Sequence, residues 1–342
     1  MPNDPPSIAF KQIKAMKNAR VFIGIDVSKK TLDICYFKEG KSFYKQIPNH
    51  EKHIQKFLSG FDLDQTVVAA ENTGRYNWPL YEVVSQMPVR FYVINPVHLK
   101  RSLGLIRGKD DQKDAWRIAW FIERHYQDLS PWEPEEESIQ HLKILLSERR
   151  QLIKNRKQVK TAKRERTLIK QSALRQSLMR RDNRRIKALD KEIEQVELQI
   201  ATLIKSDEEL QQKAKLVRSV PGVGKVVCWH LLAKTNGFKS IKDPRKLACY
   251  AGVAPFEHQS GTSVRKKPTV SNMADKKLKS LLHMAAIVAR QHDKELRTYY
   301  ERKIKQGKNP MTVINALRNK IIHRVCAVVR NQKMFEIRLV ES

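Results

Sequence analysis

The sequence predicts two kinds of fold in one chain: an α/β block first, then largely helical parts (α/β plus α). Three observations predict this. Five short strand-like runs alternate with helical spacing between residues 20 and 130, in the order βββαβαβα. Residues 135–220 then run for 86 positions with neither glycine nor proline, longer than any ordinary globular helix. The rest of the chain shows four further helical patterns. At 342 residues the chain is also too long for one core of ordinary size. The expected organisation is a tail (1–19), an α/β domain (20–130), a helical region (135–213) and a C-terminal domain (214–342).

The α/β block is justified element by element. Residues 21–27 are an apolar run closed by Asp26 and Val27. A short Ser28-Lys29-Lys30 link makes a hairpin to a second strand at 31–37. A weaker third strand follows at 42–47, then helical spacing at 50–58. Residues 67–71 form a fourth strand that again ends in an acid, Glu71. A helix at 76–86, a fifth strand at 89–94 and a helix from Asp111 complete the block. That last helix carries Ala115, Ile118, Ala119 and Ile122 on one face. Asp33, on the second strand, is expected to lie off the site. Tyr76, Trp78 and Tyr81 are read as packing residues, with base stacking as the alternative.

In the long helical stretch, Ile186, Leu189, Ile193, Val196, Ile200 and Leu203 step 3-4-3-4-3. That is a heptad seam and predicts a coiled coil, antiparallel within the chain or formed between chains. Residues 143–191 carry 18 Lys or Arg against 4 acids, which suits either a solvated face or a nucleic-acid-binding face. In the last part, helices are expected at 226–233, 275–291, 293–305 and 310–330.

Charge narrows the function. The chain has 67 Lys and Arg against 36 Asp and Glu, a formal net of +31. Residues 20–128 carry +4, residues 129–213 +6 and residues 214–342 +19. Such a protein attracts polyanions, nucleic acid before an anionic membrane. No run of 18 apolar residues is present to span a bilayer. The first residues lack the pattern of a signal peptide, and the four scattered cysteines make neither a CxxC pair nor a disulfide framework. A reducing cytoplasm, in association with the nucleoid, is the expected location.

Asp26 and Glu71 end two strands that this topology makes neighbours. Asp111 and Asp114 lie one turn apart on a helix that packs beside the first strand. Asp110 competes with Asp111 for the third position. Singly, each residue suits an ordinary turn or helix start. Together, four carboxylates repel one another strongly and are held mainly by cations. Hard oxygen ligands suit Mg²⁺ or Mn²⁺, and a pair of such ions ~3.5–4 Å apart stabilises attacking and leaving oxygens at a phosphodiester.

Three groups of residues carry a resemblance. Gly24-Ile25-Asp26-Val27-Ser28-Lys29, Glu71-Asn72-Thr73-Gly74 and Lys109-Asp110-Asp111-Gln112-Lys113-Asp114-Ala115 resemble the four-carboxylate signature of the DEDD transposases of the insertion-sequence one-ten family. The later stretches Ser219-Val220-Pro221-Gly222-Val223-Gly224, Tyr250-Ala251-Gly252-Val253-Ala254-Pro255 and Gln259-Ser260-Gly261 resemble the second half of the same family, in the same order. The resemblance implies an RNase-H/RuvC-like domain, a coiled-coil insert and a mostly α transposase domain. It implies a Mg²⁺ site at Asp26, Glu71, Asp111 and Asp114, a catalytic serine at Ser260, assembly as a homo-oligomer on DNA, and guidance by a structured RNA. Relatives often have two serines before the glycine, whereas this chain has Gln259-Ser260, so Ser263 stands as a second candidate.

Around Pro221, the glycines Gly222 and Gly224 with Lys225 suit a helix-hairpin-helix turn whose backbone N–H groups meet a phosphate, or a plain helix–helix turn. Arg265, Lys266 and Lys267 follow Ser260 and suit contacts to a nucleic-acid backbone. His98, His258 and His283 have no metal-ligand spacing. The expected function is a DNA transposase or recombinase that cuts and rejoins strands. The alternatives are a RuvC-like nuclease or junction resolvase that uses water, and a non-catalytic nucleic-acid-binding protein.

Overall fold

The computed structural model describes residues 21–72, 74–96, 99, 110–260, 264–270 and 273–336, and for 75, 256–260 and 264–269 the backbone alone. The tail, His98 and Ser263 lie outside the described residues. The chain divides into two compact units, residues 1–134 and 135–342.

The first unit is a five-stranded mixed sheet in the order β3-β2-β1-β4-β5. Its strands are β1 (Val21–Val27), β2 (Thr31–Lys38), β3 (Lys41–Pro48), β4 (Thr66–Glu71) and β5 (Arg90–Ile94). Helices α1 (Glu51–Leu58), α2 (Trp78–Ser85) and α3 (Asp111–His125) complete it. β1, β2 and β3 form an antiparallel meander, while β4 and β5 join β1 in parallel. The central strands are apolar on both sides because both faces are covered. α1 and α2 meet one face through Ile54, Leu58, Leu80 and Val84. α3 meets the other through Ala115, Ile118, Ala119 and Ile122.

β3 is the exception in this sheet. It is exposed at six of the seven positions before its end, with only Ile47 buried, as a sheet edge allows. Tyr81 stacks on Trp132, with ring centroids 4.8 Å apart, and belongs to the core. Tyr76 and Trp78 are exposed, so the packing reading holds for only one of the three aromatics.

The second unit begins with a helical hairpin, α4 (Glu137–Glu165) and α5 (Ser172–Ser206), joined through a 3-10 turn at Arg166–Leu168. Three ion pairs set its antiparallel register: Arg149 with Glu197, Arg156 with Asp190 and Arg166 with Asp182. The residue numbers of the three pairs sum to nearly the same value, as antiparallel helices require. Ile193, Val196 and Ile200 of the heptad seam are buried, and they share one core with Ile139, Leu142 and Leu146 of α4. The partner of the seam is therefore a helix of this chain. Its polar tip is closed by Asp182, 1% exposed, which accepts from Arg166.

That core continues into α6 (Glu208–Arg218), α7 (Lys225–Lys234), α8 (Pro244–Tyr250), α9 (Lys276–His292), α10 (Lys294–Lys305) and α11 (Pro310–Asn331). The helices expected from spacing are present within a residue or two. A two-stranded antiparallel hairpin, β6 (Phe256–Ser260) and β7 (Val264–Thr269), had no counterpart in the sequence reading. Ten polar and charged residues in the stretch 256–269 hide its alternation.

Ile200 is fully buried at the hairpin base, whereas Leu198 of the same helix is 67% exposed. Ile200→Ala should lower the stability of the second unit by about 2–5 kcal/mol through lost burial and a residual cavity, and Leu198→Ala by about 0.5 kcal/mol or less. Urea unfolding followed by far-UV circular dichroism measures both; equal effects would contradict this packing.

Candidate active site

The parallel pairing of β1 with β4 puts the carboxyl ends of both strands at one edge of the sheet. Ile25 pairs with Ala70, so Asp26 and Glu71 follow at the same level. Loop hydrogen bonds hold both ends. The Ser28 N–H and hydroxyl both donate to the Thr31 carbonyl, and the Asn49 amide donates to the Ser28 and Tyr76 carbonyls. The buried Asn77 amide donates to the Glu71 carbonyl at 2.8 Å.

Gly24 brings the third and fourth carboxylates in. Side chains alternate along a strand, so Gly24 and Asp26 face the same side, toward α3. A Cβ on Gly24 would lie 2.1 Å from the Ala119 amide nitrogen and 2.4 Å from the Ala115 carbonyl oxygen. Only glycine permits this approach of helix to strand. α3 therefore rests on β1 backbone to backbone, with its first turn beside Asp26. Asp110 takes the capping role, its carboxylate accepting from the Gln112 amide at 3.3 Å. The competition between Asp110 and Asp111 ends there: Asp111 and Asp114 point into the site.

Carboxylate oxygens of Asp26, Asp111 and Asp114 all lie within 4.8 Å of one another. Glu71 stands outside this close group, yet its charge acts on Asp26. Partial burial, then the charges of Asp114, Asp111, Glu71 and Asp33, push the Asp26 carboxyl up to about 6. Asp114 is partly compensated by Arg117, at 2.5 Å. The donor set is all oxygen, anionic and mutually repulsive, and such a set fits a hard divalent cation.

Asp33 stands outside the close carboxylate group, yet its charge acts on Asp26. It sits directly opposite Asp26 across the β1–β2 hairpin, on the same face, and is 2% exposed. Tyr44 and Gln46 of β3 donate to its carboxylate. The loop runs over 28–31, so its centre falls between Lys29 and Lys30 and joins 26 to 33, whereas the three-residue link read from the sequence joins 26 to 32.

The second unit treats its expected site residues differently. Ser260 ends β6 and pairs with Val264; its side chain, and those of Arg265, Lys266 and Lys267 on β7, lie outside the described residues. Gly222 has φ +85°, and a Cβ there would lie 2.3 Å from the Ala285 carbonyl oxygen, so its glycine requirement is explained by packing against α9. Gly224 is exposed and precedes α7. The Lys225 ammonium is engaged by Glu197 at 2.6 Å. His283 contacts Arg318 and serves the fold.

A strand-end carboxylate cluster on a five-stranded mixed sheet, in a strongly basic chain, fits an enzyme that acts on nucleic acid. Comparison with known proteins gives the family. A DEDD transposase model of the IS110 type matches residues 23–172, and a model described as the transposase IS116/IS110/IS902 family matches residues 214–301. The chain is 29% identical over 336 residues to a pilin gene-inverting protein of Moraxella bovis, covering 94% of this chain and all of that one. It is 25% identical over 283 residues to the transposase of insertion sequence IS1111A from Coxiella burnetii, covering 75% of this chain and 74% of that one. The chain belongs to the IS110 family of DEDD transposases, enzymes that cleave and rejoin DNA.

Three outcomes follow from the cluster. The Asp26 carboxyl is raised in the folded state, so its protonated form adds stability at acid pH that is lost as the pH rises through about 6. In metal-free protein, Asp26→Asn should therefore raise the melting temperature near neutral pH, with the difference vanishing below about pH 4. Adding Mg²⁺ or Mn²⁺ should raise the melting temperature of the wild type and not of the variant. Gly24→Ala should destabilise the first unit and weaken the Mg²⁺-induced shift. Differential scanning fluorimetry reads all of these, and a wild type indifferent to both ions would remove the metal assignment.

Proposed function

We propose that this transposase transfers DNA strands by a serine nucleophile working with the carboxylate site. The observation that carries the metal half is the convergence of Asp26, Asp111 and Asp114 within 4.8 Å. Under this reading Asp26, Glu71, Asp111 and Asp114 hold Mg²⁺ in an RNase-H/RuvC-like domain. When bound, the ion neutralises charge on the phosphate under attack. Asp33, fixed by Tyr44 and Gln46, keeps the Asp26 strand in position from the opposite side of the hairpin.

The Ser260 hydroxyl attacks phosphorus, forming a serine–phosphate ester as one P–O bond of the DNA breaks. The proton of the serine leaves to the surroundings, and the departing sugar oxygen takes up another. An ester link retains the bond energy that hydrolysis would dissipate, so rejoining needs no ATP. Arg265, Lys266 and Lys267, on the strand β7 paired with β6, supply cations for the phosphate backbone. The family resemblance supports a structured RNA as guide, a homo-oligomer as the working form and the α4–α5 hairpin as its coiled-coil element.

The test uses supercoiled and linear DNA carrying the element ends, with the RNA that copurifies. Asp26→Ala or Asp114→Ala should reduce strand cleavage at least about 100-fold with folding retained. A covalent protein–DNA band should appear on denaturing gels for the wild type and for Ser263→Ala, and vanish for Ser260→Ala. Free ends without any band would give the reaction to water, as in a RuvC-like resolvase. Recombination that survives RNase treatment of every component would remove the guide.

A further inference from the structure

The C-terminal unit holds a cavity of about 460 Å³ that strand-transfer chemistry does not use. Three helices and the end of a fourth close it. Lys143 and Arg150 come from one face of α4, seven residues apart. His230 and Lys234 come from α7, four apart. Tyr250 ends α8, and Lys277 opens α9. All six lie in the same compact unit.

Its electrostatics are one-sided. Lys143, Arg150, Lys234 and Lys277 face a single acid, Asp275. That acid is already occupied: it caps α9 through the Leu278 amide at 2.8 Å and pairs with Lys234 at 2.9 Å. Lys143 pairs with Glu135. Arg150 and Lys277 are exposed and have neither an ion pair nor a side-chain hydrogen bond among the described residues. His230, 8% exposed at the lining, is held down to about 4 by burial, then by Lys277 and Lys234. A neutral imidazole there has a donor and an acceptor to offer.

This chemistry rejects cations and selects an anion. The size lies within the ~300–1,000 Å³ of small-ligand clefts. Leu146, Ala233 and the Tyr250 ring add apolar wall beside the charges. A phosphate flanked by a sugar and a base has the matching pattern, and a chain that recombines DNA meets that group on every strand. We propose that this cavity is a nucleic-acid contact, taking one backbone phosphate and its adjoining nucleotide. Arg150 and Lys277 neutralise the phosphate, and His230 hydrogen-bonds from the floor. The cavity lining includes neither Ser260 nor the four carboxylates, and the contact requires neither to be catalytic.

The experiment measures binding of labelled single-stranded DNA and RNA oligonucleotides of one sequence to the full chain, by fluorescence anisotropy in EDTA across a salt series. EDTA removes metal chemistry, so failure of the strand-transfer mechanism leaves this assay untouched. Arg150→Glu with Lys277→Glu should weaken binding of at least one oligonucleotide about tenfold or more and lower the salt slope by about one to two. The milder Arg150→Gln with Lys277→Gln should fall between that pair and the wild type. Lys308→Glu, an exposed lysine between α10 and α11, should change affinity less than about twofold. A larger effect on DNA than on RNA, or the reverse, identifies which strand the cavity serves. The proposal is overturned if the Lys308 control loses as much affinity as the cavity variants, or if the salt slope does not move. It is equally overturned if a free mononucleotide competes at the oligonucleotide's own dissociation constant, which would make this a small-molecule site.

Discussion

The contact between Gly24 and the α3 backbone is the constraint on which the first unit's chemistry depends. Helix and strand meet with no side chain between them, at Ala115 and Ala119. Any Cβ at position 24 forces them apart. One helical turn before Ala115, that same approach sets Asp111 and Asp114 against Asp26. The site is therefore assembled by backbone proximity, and the small residues around it exist to permit that proximity. Strand pairing brings Asp26, Glu71 and Asp33 to one edge, and Gly24 decides whether the α3 acids join them.

The cluster works against folding when it holds no cation. Asp26 is pushed up by burial and by four neighbouring acids, while Arg117 pairs with Asp114. Asp33 adds a fifth carboxylate, buried but satisfied by Tyr44 and Gln46. An arrangement of this kind keeps its charges together only because the sheet and α3 are stable enough to force them. That is the expected behaviour of a functional site embedded in an otherwise consistent fold.

The second unit distributes its charge differently. Many of its cations are already paired: Arg149 and Lys225 share Glu197, Arg166 holds Asp182, and Arg324 bridges Asp293 and Glu295. These pairs fix the hairpin register and join helices of the C-terminal core. The cations left without acids, such as Arg150 and Lys277, are the ones available to a polyanion. Raw charge density along the sequence cannot separate these two populations, because a paired and an unpaired arginine look the same in it.

Periodicity determined most of the secondary structure from sequence alone. The strands at Asp26 and Glu71, the helix at Asp111 and the helices α7, α9, α10 and α11 were all legible from an apolar period. The acids at strand ends were legible because strand order places them at one edge. Four features needed the tertiary structure. Asp110 and Asp111 are adjacent and chemically alike, and only the cap hydrogen bond tells them apart. Asp33 comes to lie opposite Asp26 through hairpin register, a pairing between strands. The β6–β7 hairpin has no apolar alternation, so local pattern is silent about it. Gly222 offers the same letter whether it meets a phosphate or a helix, and only the position of Ala285 settles why a side chain is forbidden there. Sequence determines what repeats along the chain; the three-dimensional contacts decide what lies across it.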